Sequence, residues 1–347
     1  MPHILFLGLF SLFLLKQVYS FTEDAVVGYL TTPFLEKILS IEPFAEPVTL
    51  EERAVLVNVL NRQYGIKLDQ TTMVFQRLLG GYVNDTFKVD FNHRSVVLRR
   101  LKPNKYTFAD NQTFQYLKSL KGNPLFPEFL FFDEALGISA FAYVPGRHIR
   151  ADEIDCELLE TIAVTLKKLH SMDIADFVKH RPFNPIAFVD KKVSHYKLKE
   201  KGIIKEISMI HQHLFGQLAG ITPRQALCHN DFFLNNALYN QATKQLIFVD
   251  LDNLAIGNPL FDLGSLISWN DLDKQQAKVL LEAYGIPELS EAYNEVYLFK
   301  DVADLHEYYI HLRYDGIFNK MMALKYSERL LNKYQFLFTP NKVSTFS

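Results

Sequence analysis

Three runs decide how this chain is read: Ala226-Leu-Cys-His-Asn-Asp-Phe-Phe-Leu-Asn-Asn236, then Leu246-Ile-Phe-Val-Asp-Leu-Asp252, then Asn258-Pro-Leu-Phe-Asp-Leu-Gly264. Asp231 is followed five residues later by Asn236, and Asp250 closes the apolar run Gln245–Val249 that reads as a buried strand. A carboxylate on a loop can orient a substrate hydroxyl and accept its proton. An amide oxygen one loop further on, with a second carboxylate mounted stiffly at a strand end, can share a Mg²⁺ bound to nucleotide phosphates. The spacing therefore suits transfer of a phosphoryl group to an alcohol. The competing account makes the same residues a strand, a polar turn, a hairpin partner and, at Asp262, a helix N-cap, and it needs three polar residues to fall in register by chance.

The stretch resembles the His-x-Asp-x-x-x-x-Asn loop and the metal-binding Asp of the aminoglycoside phosphotransferase and choline kinase superfamily. The His-Asn-Asp form, with Phe-Asp-Leu-Gly downstream, is closest to its choline/ethanolamine kinases. That resemblance implies an α+β, two-lobed protein-kinase-like fold, with a small antiparallel-sheet N-lobe and a larger, mainly helical C-lobe. It implies Asp231 as catalytic base, Asn236 and Asp250 as Mg²⁺ ligands, His229 and Asp262 as braces of the loop, and ATP with Mg²⁺ as cofactors. The acceptor it implies is choline or ethanolamine. Two alternatives stay open: the same chemistry on thiamine, an aminoglycoside or a sugar, and a non-catalytic nucleotide-binding module.

At 347 residues and 40.2 kDa, with 48% hydrophobic residues, the chain is long enough for two lobes with their own cores. A formal net charge of -2 gives no overall attraction to nucleic acid, so none is expected as a partner. Cys156 and Cys228 stand in neither a metal-type nor a redox spacing, and Cys228 reads as a small buried residue at a strand end. Residues Ile4–Leu15 are apolar apart from Ser11, and Val18-Tyr-Ser20 has the small residue of a cleavage site. However, no Lys or Arg precedes that run, and it is too short for a membrane-spanning helix. A cleaved signal, a core-packing or membrane-surface helix and an upstream start all remain open. ATP chemistry makes the cytoplasm the expected location, with export left possible, and the oligomeric state is not read.

The expected organisation is an apolar segment and helical preface at 1–66, a nucleotide lobe at 67–144, a catalytic and acceptor lobe at 145–338, and a tail at 339–347. In the nucleotide lobe, β-rich runs from Met73 to Leu101 predict a three-stranded meander, and the first turn carries Gly80 and Gly81 before Asn84. Such a turn lets main-chain N–H groups approach phosphates, although, taken alone, a plain hairpin accounts for it better. By the resemblance it is the phosphate loop, and Arg99 contacts phosphate, with Arg100 as the register alternative because only one of two neighbours on a strand can face the cleft. A helix is predicted over Ala109–Leu120. Where relatives place a Glu to pair with that base, Gln112 stands, so the usual ion pair is not expected there. Two further strands lead to Ala142, Tyr143 and Val144, whose backbone would meet an adenine, and Pro145-Gly146 breaks the run.

In the larger lobe, apolar spacing predicts a helix over Ala151–His170, where His170 reads as a helix-end or core histidine, and mostly helical runs over Asp273–Tyr284 and Leu289–Leu331, broken near Gly285-Ile-Pro287 and Asp315-Gly316. The basic run Lys191–Glu206 reads as a solvated face. Trp269, Tyr309 and Tyr326 are candidates to wall a cationic substrate, since aromatic faces attract ammonium groups. Eukaryotic-type relatives carry two tryptophans near His306 and Tyr309, which makes this a poorer cage and leaves room for ethanolamine. Asp252 is the remaining candidate, assisting the metal or drawing the substrate cation, or else a surface hairpin carboxylate.

Overall fold

The computed structural model describes residues 47–78, 84–102, 111–174, 182–195, 204–314 and 316–338. The N-terminal apolar segment, the Gly80-Gly81 turn, the C-terminal tail, the middle of the basic run and the side chain of Gln112 fall outside the described residues.

The chain opens with helix α1 (Leu50–Tyr64). Thr49 starts it through a capping box, its side chain accepting from the Glu52 N–H, and Gly65 ends it in the left-handed conformation (φ 64°). Strands β1 (Val74–Leu78), β2 (Asn84–Phe91) and β3 (Arg94–Leu101) form the expected meander. Asn92 and His93, both with positive φ, make the β2–β3 turn, the twist that a two-residue hairpin needs. After helix α2 (Asn111–Ser119), β4 (Phe129–Asp133) and β5 (Ile138–Ala142) join the same sheet rather than a separate one, in the order β1-β2-β3-β5-β4.

Alternation along these strands makes the small lobe. Phe87, Val89 and Phe91 of β2, Val96 and Leu98 of β3, and Ile138 and Ala140 of β5 share one buried face, onto which α1 lays Leu56, Val57 and Leu60. The helix predicted as a preface therefore packs in the sheet's own core. A charge cluster fixes its position: Arg77 Nη2 donates to both Glu52 oxygens (2.6 and 2.7 Å) and Arg100 Nη2 to Glu52 Oε1 (2.9 Å), while Asp85 pairs with both arginines.

The larger lobe contains β6 (Arg147–His148), α3 (Cys156–His170), α4 (Pro185–His195), α5 (Lys205–Leu218), β7 (Ala226–Cys228), β8 (Ala237–Asn240), β9 (Gln245–Phe248) and β10 (Ala255–Gly257), followed by α6 (Pro259–Trp269), α7 (Lys274–Tyr284), α8 (Glu291–Arg313) and α9 (Ile317–Tyr334). Helix α3 begins later than its hydrophobic spacing predicts. Asp155 caps it by accepting from the Leu158 N–H, and Ala151–Glu153 is a separate 3₁₀ turn. The helical run after Leu289 divides, at the break expected near Gly316, into α8 and α9, of which α8 is the more central. Its principal contact is with α6 at Gly264, where a Cβ would lie 2.6 Å from the Lys300 N and 2.8 Å from the Val296 O. The two backbones touch there, and only glycine permits it.

Gly264→Ala should therefore lower the unfolding free energy by about 3 kcal/mol, measured by urea denaturation, because the clash is with helical backbone that cannot rotate aside. A pH dependence follows from the α1 cluster. Burial raises the Glu52 carboxyl, but the Thr49 N–H and then Arg77 and Arg100 outweigh it, leaving the group below its ordinary 4.5. A depressed carboxylate stabilises fully above its unfolded pKa and loses that stabilisation as pH falls through the folded value. The stability gap between the wild type and Glu52→Gln should accordingly be constant near neutrality and close below about pH 4.5.

Candidate active site

The catalytic stretch is mounted on β7, whose antiparallel partner β10 pairs Cys228 with Ala255 and Leu227 with Ile256. Immediately after β7 the chain turns at Asn230, a non-glycine residue in the left-handed region (φ 60°). Three neighbours hold that strained turn. The fully buried Asp262, in the first turn of α6, accepts from the His229 N–H (2.8 Å) and the Asn230 N–H (2.7 Å) and contacts His170 Nε2 at the end of α3 (3.0 Å). His170 Nδ1 in turn meets the Tyr284 hydroxyl (2.8 Å). The Asn230 amide donates to the carbonyls of Cys228, Asn253 and Ala255 (3.0–3.3 Å), tying the catalytic loop to the loop after β9. Gly257 leaves room for it, since a Cβ there would lie 2.6 Å from Asn230 Oδ1.

His170, Cys228 and Asp262 offer donor atoms within 4.8 Å of one another. Each already has a partner: both His170 nitrogens are engaged, Asp262 holds two amides, and the Cys228 thiol, pushed well up by burial, donates to the Ala226 carbonyl. The cluster is a satisfied polar brace behind the loop.

Burial lowers the His229 pKa, so its imidazole is neutral and Nε2–H donates to the Val249 carbonyl (2.9 Å). The same backbone segment is held again by the Val249 N–H, which donates to the Asn236 carbonyl (2.9 Å), extending the β8–β9 pairing by one step. Asn236 therefore lies opposite Val249, the residue before Asp250. The Asn236 Nδ2 donates to the Asp231 carbonyl (2.8 Å), which leaves Oδ1 as the end of the amide offered to a cation. Asp250 itself adopts φ 59° and ψ 57°, a conformation that Asp tolerates better than most residues. Burial raises its carboxyl, Arg99 opposes that, and Asp252 adds to it. Asp231 is oriented by Asn253, whose Nδ2 donates to Oδ2 (3.1 Å). These oxygen donors fit a hard divalent cation such as Mg²⁺.

From the other lobe, Arg99 reaches Asp250 Oδ1 (2.5 Å) and Asp252 Oδ1 (2.8 Å), and Asn84 Nδ2 reaches Asp252 Oδ2 (3.3 Å). Arg100 lies on the opposite face of the sheet with Glu52 and Asp85, so of the two register choices Arg99 is the one in the cleft. Burial works against its charge, and Asp250 and then Asp252 more than offset it, so the guanidinium stays protonated. In the run leading out of β5, the Ala142 N–H donates to the Glu128 carbonyl and the Tyr143 N–H to the Ser95 carbonyl. Of the three backbone N–H groups expected to face an adenine, only that of Val144 makes no hydrogen bond among the described residues.

The acceptor-side residues divide. Trp269, half-buried, donates to the Ala303 carbonyl (3.3 Å) and lies 6.2 Å from Phe233, two residues past Asp231, and 5.7 Å from His306. His306 stacks on Phe188 at 4.9 Å. By contrast, Tyr309 is 2% exposed with its hydroxyl 2.8 Å from His211 Nδ1, and Tyr326 is 2% exposed and stacked on His311. Both belong to the core. Asp252 faces the nucleotide lobe. The sequence reading missed Asn230 and Asn253, which carry no spacing signal of their own. It also missed Glu307, whose carboxylate lies between His306 (3.1 Å) and His311 (3.5 Å). Burial would raise that carboxyl, but the two histidines hold it at about 2.

A two-lobed kinase-like fold with this loop defines a phosphotransferase. The model of the phosphotransferase enzyme family (APH) matches residues 74–299, and the chain belongs to that family. Among curated proteins, "Protein LicA homolog" of Metamycoplasma hominis is 26% identical over 143 residues, a match that spans 41% of this chain and 55%, about half, of that relative's length. Among solved structures, a Plasmodium vivax ethanolamine kinase superposes with a TM-score of 0.66 at 12% identity, covering 88% of this chain and 95% of that one. The streptomycin-ATP-APH(2")-IIa ternary complex gives 0.59 at 20% identity, covering 82% and 97%. Among the described residues, no helix is long and apolar enough to cross a membrane.

Asp262→Asn should expose the value of the brace. One of the two oxygens facing the His229 and Asn230 amides becomes an NH₂ opposed to an N–H. A buried donor without an acceptor costs about 1–3 kcal/mol, so a lower melting temperature and a fall in phosphoryl transfer are expected together in the purified variant.

Proposed function

We propose that the protein is a Mg²⁺-dependent kinase that transfers the ATP γ-phosphoryl group to the hydroxyl of a small amino alcohol, ethanolamine or choline. The observation that carries this reading is the packing of the Asp231–Asn236 loop against the end of the β8–β9 hairpin, where Asn236 lies opposite Val249, next to Asp250, and Arg99 reaches Asp250 from the other lobe. In this reading nucleotide binding belongs to the small lobe, about 67–144, and catalysis and acceptor binding to 145–338. The location is a compartment that holds ATP, the cytoplasm first.

Asp231, steadied by Asn253, aligns the acceptor hydroxyl and takes its proton as the oxygen attacks phosphorus. Asn236 Oδ1 and the Asp250 carboxylate would hold Mg²⁺, which when bound neutralises charge on the phosphates. Arg99 directs its guanidinium at the same phosphates, and the Val144 N–H meets the adenine edge. Because this chemistry is mostly positioning and charge stabilisation, the strained Asn230 turn and its anchors serve it directly.

The acceptor side favours ethanolamine over choline. A quaternary ammonium has no N–H and relies on aromatic faces. Here Tyr309 and Tyr326 are buried, and of the three aromatic candidates Trp269 is the one beside the loop of Asp231, next to Phe233. A primary ammonium can instead donate to a carboxylate such as Glu307, whose side chain is 20% exposed.

The test is ADP release from ATP and Mg²⁺ over a panel of ethanolamine, choline, thiamine, an aminoglycoside and a sugar. Ethanolamine should give the highest kcat/KM. Best turnover on thiamine, an aminoglycoside or a sugar would replace the acceptor assignment, and nucleotide binding with no turnover on any acceptor would indicate a non-catalytic module. Asp231→Ala and Asp250→Ala should each lower kcat by at least about 10³-fold with an unchanged circular dichroism spectrum. Near-normal turnover by Asp250→Ala would refute the metal assignment.

A further inference from the structure

The two neighbouring arginines of β3 draw their counter-charges from different places. Arg100 faces α1 and takes Glu52 and Asp85 from its own lobe. Arg99 faces the cleft with a side chain only 10% exposed, where an unpaired guanidinium would be costly. Among the described residues, helix α2 (Asn111–Ser119) contains no acidic residue. The partners come from across the cleft.

The two carboxylates that meet Arg99 are not equivalent. Asp250 stands beside Asn236 at the hairpin end, in the position that suits a metal. Asp252 lies in the 3₁₀ turn Leu251–Asn253 and meets Arg99 with both oxygens, Oδ1 at 2.8 Å and Oδ2 at 3.3 Å. Its Oδ2 also accepts from Asn84, the first residue of β2. One side chain of the large lobe thus grips β2 and β3 of the small lobe.

We propose that Asp252 is a positioning residue for the nucleotide: it holds the Arg99 guanidinium and the Asn84 amide from across the cleft, so that Arg99, which in this structure also meets Asp250 Oδ1 at 2.5 Å, keeps a carboxylate partner and stays aimed at phosphate when Asp250 is given over to Mg²⁺. The inference rests on the kinase reading above. With Asp252 neutralised, Asp250 is the remaining carboxylate against Arg99 among the described residues, and the arginine then competes with the metal for it. Nucleotide and Mg²⁺ binding weaken together, and the loss runs through Arg99.

The test measures binding of ADP by isothermal titration calorimetry at several Mg²⁺ concentrations, without acceptor or turnover. It uses the full-length wild type, Asp252→Asn, Asp252→Glu, Asn84→Ala, Arg99→Gln and the Asp252→Asn/Arg99→Gln double variant. Asp252→Asn should raise the Kd for ADP at saturating Mg²⁺ at least tenfold and shift the Mg²⁺ dependence to higher concentration. Asp252→Glu should recover most of the affinity, and Asn84→Ala should weaken binding severalfold. The double variant should bind no more than about twofold worse than Arg99→Gln alone, because both substitutions break one interaction.

Wild-type affinity in Asp252→Asn, or losses that multiply in the double variant, would overturn the proposal. If Asp252→Asn does not fold, Asp252→Glu and Asn84→Ala still decide it, and wild-type binding by Asn84→Ala combined with no recovery by Asp252→Glu would count against it. A wild type that turns over an acceptor while the variants behave additively removes this inference and leaves the kinase reading standing. A wild type that binds no nucleotide removes both.

Discussion

A single buried carboxylate organises the catalytic half of this protein. Asp262 has no exposure to solvent, and its cost of burial is offset because it accepts two adjacent main-chain amides and contacts one imidazole. Those amides belong to His229 and Asn230, so the bond fixes the backbone just before Asp231 and not merely a side chain. The imidazole belongs to α3, and the carboxylate itself to α6. Loop, α3 and α6 therefore meet at one side chain, and the left-handed turn at Asn230 persists because they over-determine it.

From this anchor the site extends by short main-chain steps. Asn230 grips the loop containing Asn253, Asn253 orients Asp231, and Asn236 lies across from Val249. All of these bonds lie within residues 230–253. That compactness is why the site is readable in so short a run of sequence. Asp231, Asn236 and Asp250 stand at spacings set by one loop and one hairpin, and a hairpin keeps its register because the pairing Ala237 to Phe248 determines what lies opposite Asn236.

What was harder to read has physical reasons. Strand alternation showed that Arg99 and Arg100 must face opposite ways, but the choice between them depended on where carboxylates from distant segments lay. Asn230 and Asn253 act through carbonyls and a carboxylate that only the folded loop brings near, and asparagine in a turn is otherwise unremarked. Tyr309 and Tyr326 were plausible ligand walls by composition, yet α8 is buried on several faces, from Val296 through Asp304 to Tyr309, so its sequence does not declare an outward side. The β4 and β5 strands were visible as strands, while their insertion beside β3 was set by packing between the lobes.

Helix α6 carries Asp262 near its start and ends at Trp269, and Gly264 between them is pressed backbone to backbone against α8, the helix of His306 and Glu307. A contact without side chains has no rotamers to absorb displacement, so the pair of helices responds as one stiff lever. Because Asp262 accepts from the His229 and Asn230 amides, the position of those two amides is tied through α6 to the same helix pair that seats the Trp269 indole.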